Sequence, residues 1–259
     1  MIPVDHDRRF GGLVRLHGKR GAEEIFKAHV VVVGVGGVGS WSAEALARSG
    51  VGRITLVDMD HVSESNINRQ IHSLSSTLGK AKVQAMRERM MDIHPQCKIH
   101  VIDDFVTPEN WSDLVAKLES FAPIQGLIDA CDQVLAKTAL AAWGLAQKQC
   151  AFITVGAAGG RQHAERAALD DLARVTHDSL LAKVRYNLRR RHGCAREGKL
   201  GVPCVYSTES IHASHSNESS DGTLNCHGFG SSVSVTATFG FTAAGWVINS
   251  LANSAKEAL

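Results

Sequence analysis

Three glycines spaced Gly34-x-Gly36-x-x-Gly39 close one apolar run and open a segment with helical spacing. That arrangement suits a phosphate. Gly34 permits a tight strand-to-helix turn, Gly36 lets backbone approach a ligand, and Gly39 lets the helix pack closely on the strand. Gly37 lies in the same loop. The amide groups and dipole at a helix N-terminus then favour an anion. Asp58 ends the next apolar run and suits a carboxylate that accepts hydrogen bonds from ribose hydroxyls. The plainer alternatives are a packing turn and a solvated acid. Glycines and acid together say "nucleotide" and do not separate a nicotinamide dinucleotide from ATP.

The following segment, "ESNINRQIHS" at 64–73, makes that separation. It concentrates Asn66, Asn68, Arg69 and Gln70, for which a dehydrogenase has no general need. A triphosphate does need them, because a guanidinium is permanently charged and offers a planar fork to phosphate oxygens. Lys80 opens the next helical pattern, where an ammonium can reach the same phosphates. "DACD" ends the fourth apolar run and supplies Asp129 and Asp132. Mg2+ favours one or two carboxylates plus substrate phosphates. Asp132 is the expected metal ligand, and Asp129, still within the strand, is expected to be structural.

These residues need a frame that brings strand ends together. Apolar runs at 30–33, 53–57, 99–102, 124–128 and 151–155 read as strands. Helical patterns lie at 40–49, 80–93, 113–121 and 136–149, with a charged helical entry at 5–29. Alternation of this kind implies a parallel sheet with helices on both faces. The expected fold is α/β, a Rossmann-like doubly wound sheet with ATP at the carboxyl ends of its strands. The expected division is an adenylation core at 1–160 and a smaller C-terminal part at 161–259, packed on it.

The C-terminal part reads differently. Residues 183–201 hold seven Lys/Arg against the single acid Glu197. Arg189, Arg190 and Arg191 sit beside Tyr186 and suit RNA, against the plainer reading of a solvated helix face. Residues 207–225 are Ser-rich and read as a loop; its His212 and His215 are weak metal candidates. From 227 to 255 there is no Lys, Arg, Asp or Glu, but Ser, Thr, Asn and Gly dilute the run. A buried strand or helix is expected there rather than a membrane span. The 259 residues carry a net charge of +2, which by itself indicates no nucleic-acid partner. Six cysteines form no C-x-x-C pair, which argues against a disulfide framework and a paired-cysteine zinc site. With no apolar signal core at the N-terminus, a reducing cytoplasm is the expected location, with peripheral membrane contact as a secondary expectation.

The series Gly34 to Gly39, Asp58, "NINRQ", Lys80 and "DACD" resembles the ThiF/MoeB-type superfamily of ubiquitin-activating-like adenylating enzymes. "RRFGGLVRLHG", "ITVGAAGG", "KLGVPCVYSTE" and "GFGSSVSVTATFGF" are similar to its tRNA threonylcarbamoyladenosine dehydratase branch, from about residue 8 to about 245. The resemblance implies ATP and Mg2+, with a monovalent cation as a further candidate, and a tRNA bearing threonylcarbamoyladenosine as substrate. It implies adenylation of the threonyl carboxylate and ring closure with loss of water. It also implies a homodimer in which Arg9 or Arg15 reaches the phosphates of the neighbouring subunit, Gly12 standing where the family's motif has its second arginine. Sulfur-transfer proteins are candidate accessory partners. Cys226 matches a family cysteine and is either a thioester nucleophile or structural. The alternative activity is activation of a ubiquitin-like sulfur carrier, against which the missing C-x-x-C pairs weigh.

Overall fold

The computed structural model describes residues 5–211 and 229–257. Seven strands form one sheet in the order β3-β2-β1-β4-β5-β7-β6. They are β1 (His29–Val33), β2 (Arg53–Val57), β3 (Lys98–Ile102), β4 (Gly126–Asp129), β5 (Ala151–Val155), β6 (Ala167–Asp171) and β7 (Pro203–Ser207). All neighbours run parallel except β6, which is antiparallel to β7 at one edge. Every residue of β1 is buried, as expected of a central parallel strand covered on both faces.

Helices cover both faces. On one side lie α1 (His6–Lys27), α2 (Gly39–Arg48), α3 (Lys82–Ile93) and α7 (Val233–Glu257). Their apolar side chains Ile25, Leu46, Met86 and Phe239 share one core with Val30 and Val32 of β1. On the other side lie α4 (Trp111–Phe121), α5 (Val134–Ala146) and α6 (Ser179–Arg191). They bury Leu118, Leu140 and Leu188 against Val31 and Val33. The alternation of the pleat thus feeds two cores from one strand.

Several elements differ in detail from the sequence reading. The N-terminal helix is kinked at Gly18, whose φ of 75° lies in the left-handed region. The charge-free run at 227–255 contains α7, and its Val235, Phe239, Ala243, Val247 and Leu251 are buried in the protein's own core. Its small residues let α2 come close: a Cβ at Gly240 would stand 2.6 Å from the carbonyl oxygen of Val38. Ser42 Oγ donates to the Gly240 carbonyl at 3.0 Å across the same crossing. Glu44, almost wholly buried, joins α2 to α3 by accepting from Arg48 and Arg89. The sheet continues across residue 160, since β7 pairs with β5. Among the described residues no helix is long and apolar enough to cross a membrane.

Candidate functional site

Strand order reverses between β1 and β4, and in open α/β sheets ligands bind in the crevice at that switch point. Gly34 follows β1 there with a φ of 84°. A Cβ on it would lie 2.8 Å from both Ala130 O and Cys131 N, the turn after β4. A Cβ on Gly39 would lie 1.7 Å from Gly34 O, so only glycine allows α2 to start this close to β1. No side chain caps α2 at Val38, while Ser40 N donates to Gly36 O at 3.1 Å within the turn. Gly36 faces open space apart from the Gln70 amide, and the stem of Arg69 packs 3.5 Å from the Cβ position of Gly37.

Asp58 lies just past the end of β2, bonded to the glycine loop. Its Oδ2 accepts from Val35 N at 2.6 Å and its Oδ1 from Asp60 N at 2.8 Å. Burial raises its carboxyl pKa, opposed by the Lys82 ammonium and these two amides. The carboxylate therefore sets the shape of the glycine loop.

The lysine needs a correction. Lys80 does not open α3; its Nζ pairs with Glu88 at 2.7 Å on an accessible face. Residues 79–81 instead pair with 61–62: Gly79 N donates to Val62 O, and Val62 N to Lys80 O. Backbone held in that bridge cannot also be helical. The helix starts at Lys82, whose Nζ lies 2.6 Å from Asp60 Oδ2 with its stem buried. Lys82 is the lysine beside Asp58, and the apolar spacing used to place the helix start gave no sign of the bridge.

The "NINRQ" segment divides its duties. Asn66 is buried, and its Oδ1 accepts from Ser63 N at 3.1 Å to form a turn. Gln70 is buried against the glycine loop with no hydrogen-bond partner on Oε1. Arg69 is held by its backbone, since Trp41 Nε1 and Thr236 Oγ1 both donate to its carbonyl, at 2.9 and 3.4 Å. Its guanidinium donates to Ser65 O and to Asn68 Oδ1. Asn68 Nδ2 in turn donates to Ser231 O at 3.1 Å.

Beneath the crevice, Asp129 is fully buried and paired with Lys137 at 3.0 Å. It accepts from Thr154 Oγ1 at 2.6 Å, while Lys137 also donates to Cys131 O at 3.0 Å. Burial would lower the Lys137 pKa, but the Asp129 carboxylate outweighs it and the net direction is up. Asp129 is thus structural, and just past the turn it fixes Asp132 is exposed, accepting from Gln133 Nε2 at 3.4 Å. Asp132 follows directly on the Ala130–Cys131 turn that abuts Gly34 of the glycine loop.

Two groups of arginines stand elsewhere. Arg9 donates to Ile93 O at 2.6 Å, at the C-terminal end of α3, and so at the sheet end opposite the glycine loop. Arg15 is exposed beside Gly11 and Gly12 on α1. Neither reaches this chain's own crevice. Arg189, Arg190 and Arg191 form the last turn of α6. The helix starts at the crevice end, where its cap Asp178 accepts from Ala157 N after β5, and runs away from it. With thirteen residues it sets the arginines about 20 Å off. Arg190 donates to Tyr186 OH, and Arg189 to Ala195 O.

Cys226, His212 and His215 lie outside the described residues. Among the described ones, burial pushes the Cys97 and Cys150 thiols up to about 12 and raises Cys131, Cys194 and Cys204, so none is a ready thiolate. No group of three or more His, Cys, Asp or Glu among the described residues could hold a metal by itself.

His72, next to the crevice wall, carries a pH expectation. It is 1% exposed with no hydrogen-bond partner on either ring nitrogen. Burial first, then the charges of Lys82 and Arg89, lower its pKa from 6.5 to about 4. Between those values the unfolded chain binds a proton that the native chain refuses, so stability falls as pH drops through that window. The expected loss from this residue is about 3 kcal/mol once pH is below about 4. Denaturant titrations from pH 7 to 4.5 should show a shallower decline for His72→Met than for the parent; equal slopes would remove His72 as the cause.

Comparison with known proteins identifies the family. The ThiF family model matches residues 8–258. The tRNA threonylcarbamoyladenosine dehydratase of Escherichia coli (strain K12) is 43% identical over 252 residues, covering 91% of this chain and 90% of that protein. The dehydratase of Haemophilus influenzae is 40% identical, covering 97% and 96%. The crystal structure of the E. coli enzyme, TcdA, in complex with ATP superposes with a TM-score of 0.84 at 42% identity, covering 100% of this chain and 98% of that one. The glycine turn at the switch point and similarity along nearly the whole chain make this protein a member of the ThiF family, allied to its tRNA threonylcarbamoyladenosine dehydratases.

Proposed function

We propose that this chain dehydrates N6-threonylcarbamoyladenosine in tRNA, using ATP to activate the threonyl carboxylate. The observation that carries the reading is an adenylation crevice in a chain similar to dehydratases over nine tenths of its length. A carboxylate is a poor electrophile because its oxygen is a poor leaving group. Attack of that oxygen on the α-phosphorus expels pyrophosphate and gives an acyl-adenylate. A nucleophile of the same side chain then attacks the acyl carbon, AMP leaves, and a ring closes. Net, one water is lost and ATP becomes AMP and pyrophosphate.

The residues have distinct tasks in this scheme. The amides opening α2 and the bare backbone of Gly36 and Gly37 receive phosphate. Asp58 takes the ribose hydroxyls. Arg69 and Lys82 offset charge as pyrophosphate departs. Mg2+ would be held by Asp132 and the phosphates and would help neutralise their charge. Asn66 and Gln70 shape the wall. Because every described thiol is buried or raised, ring closure directly on the acyl-adenylate is favoured over a thioester at those positions. The scheme suits a cytoplasmic homodimer in which Arg9 or Arg15 serves the other subunit's crevice. Arg189, Arg190 and Arg191 would meet the tRNA backbone away from the reacting base.

Incubating the protein with ATP, Mg2+ and tRNA carrying threonylcarbamoyladenosine should yield a nucleoside lighter by the mass of one water, read by mass spectrometry of the digested tRNA. Asp132→Asn should slow this on the order of 100-fold. ATP consumption that depends on a sulfur-carrier protein, with the nucleoside unchanged, would overturn the reading.

A further inference from the structure

The segment 229–232, just before α7, crosses the open crevice. Gly230 O accepts from Gly160 N at 2.8 Å, in the loop after β5. Its neighbour Ser231 O accepts from Asn68 Nδ2 at 3.1 Å, in the loop after β2. Strands β2 and β5 flank β1 and β4 in the sheet. Two consecutive carbonyls are therefore held from opposite sides, and the segment forms a crossbar over the ends of the two strands that define the nucleotide crevice. It is stiffened at its far end, where α7 begins and Thr236 both donates to Arg69 O and packs 3.3 Å from the Cβ position of Gly37.

Phe229 stands on this crossbar. Its side chain remains 46% exposed although the bar is tied down at the next two residues. The backbone beside it is Gly159, whose missing Cβ leaves nothing closer than 3.7 Å to that position. Most of the groups named along the crevice rim, Asp58, Asn68, Arg69 and Asp132 among them, are polar or charged, and suit phosphate, ribose or carboxylate. Phe229 adds an exposed aromatic face above them. Sequence-specific RNA recognition relies on unpaired bases stacked on aromatic rings.

We propose that Phe229 is the stacking platform for the modified adenine of the tRNA, held by the crossbar so that the base's side-chain carboxylate reaches the α-phosphate between Gly36 and Arg69. This rests on the dehydratase reading above. It assigns Phe229 to substrate and leaves ATP to the glycine loop, so the two bindings separate under mutation.

The test compares Phe229→Ala, Phe229→Leu and Phe229→Trp with the parent in tRNA dehydration, with ATP binding measured alongside. One lost stack predicts a fall of about 10- to 100-fold in kcat/KM for tRNA in the Ala variant. The Leu variant, with apolar bulk but no ring, should stay low, the Trp variant should return near the parent, and ATP affinity should hold in all three. Recovery by Leu, an unaffected Ala variant, or loss of ATP binding would each overturn the platform. A second readout keeps the two ideas apart: the Trp variant should be quenched by an anticodon stem-loop RNA with an unpaired adenine, beyond the quenching of the parent's own tryptophans. Quenching with no dehydration by the parent would sink the dehydratase reading and keep the platform. Dehydration by the parent without added quenching would do the reverse.

Discussion

Lys137→Met is expected to lower the unfolding free energy by about 3–5 kcal/mol, among the largest losses available to a single substitution in this chain. Lys137 and Asp129 are both 0% exposed and lie 3.0 Å apart. Removing the ammonium leaves a carboxylate buried without its counter-charge, and that uncompensated ion dominates the cost. Thr154 Oγ1 and Cys131 N would still donate to Asp129 but bring no positive charge. The double variant Lys137→Met/Asp129→Asn removes both charges and keeps a side chain able to bond Thr154. It should regain more than half of the loss, because replacing a buried pair is far cheaper than breaking one. Urea titrations of the three proteins at neutral pH decide the matter. A single variant within about 1 kcal/mol of the parent, or a double variant no more stable than the single, would show that the pair is not the keystone beneath the Asp132 turn.

That pair also marks what the sequence could and could not disclose. The alternation of apolar runs and helical patterns from 30 to 155 reports the parallel sheet, because strands buried on both faces must be apolar throughout. The glycine loop was legible for a related reason: only glycine admits the contacts found at Gly34 and Gly39. Lys137 was not legible. A lysine in "VLAKTALAAW" reads as a solvated residue, and its partner lies at the end of the preceding strand in a relation set only by packing. Strand β6, "AALDD", is a short antiparallel edge with partly exposed residues, so it lacks the apolar signature. Helix α7 was ambiguous because Ser, Thr and Gly dilute its hydropathy, and one of them, Gly240, is what lets α2 approach. The crossbar joins positions more than 160 residues apart, as in the Asn68–Ser231 bond, and no local pattern announces it.

The second large effect separates two lysines only two residues apart. Lys82→Met should reduce tRNA dehydration on the order of 100-fold or more, whereas Lys80→Met should leave it within about twofold. Both are cations near the start of α3, and sequence spacing favours Lys80. The structure reverses that order. Lys80 is bound outward to Glu88, a pair exposed enough that its removal costs little. Lys82 has a buried stem that fixes its ammonium 2.6 Å from Asp60, where its charge acts on Asp58. Preorganised charge in a partly desolvated crevice stabilises developing charge far better than a mobile surface cation. An Arg at 82 keeps the charge but changes its reach and shape, so Lys82→Arg should recover only part of the rate. The decisive comparison is pyrophosphate release with saturating ATP in all three variants, alongside ATP affinity. If Lys80→Met proves the slower enzyme, the bridge between 61–62 and 79–81 must open in the working state, and the cation serving the phosphates is the outer lysine after all.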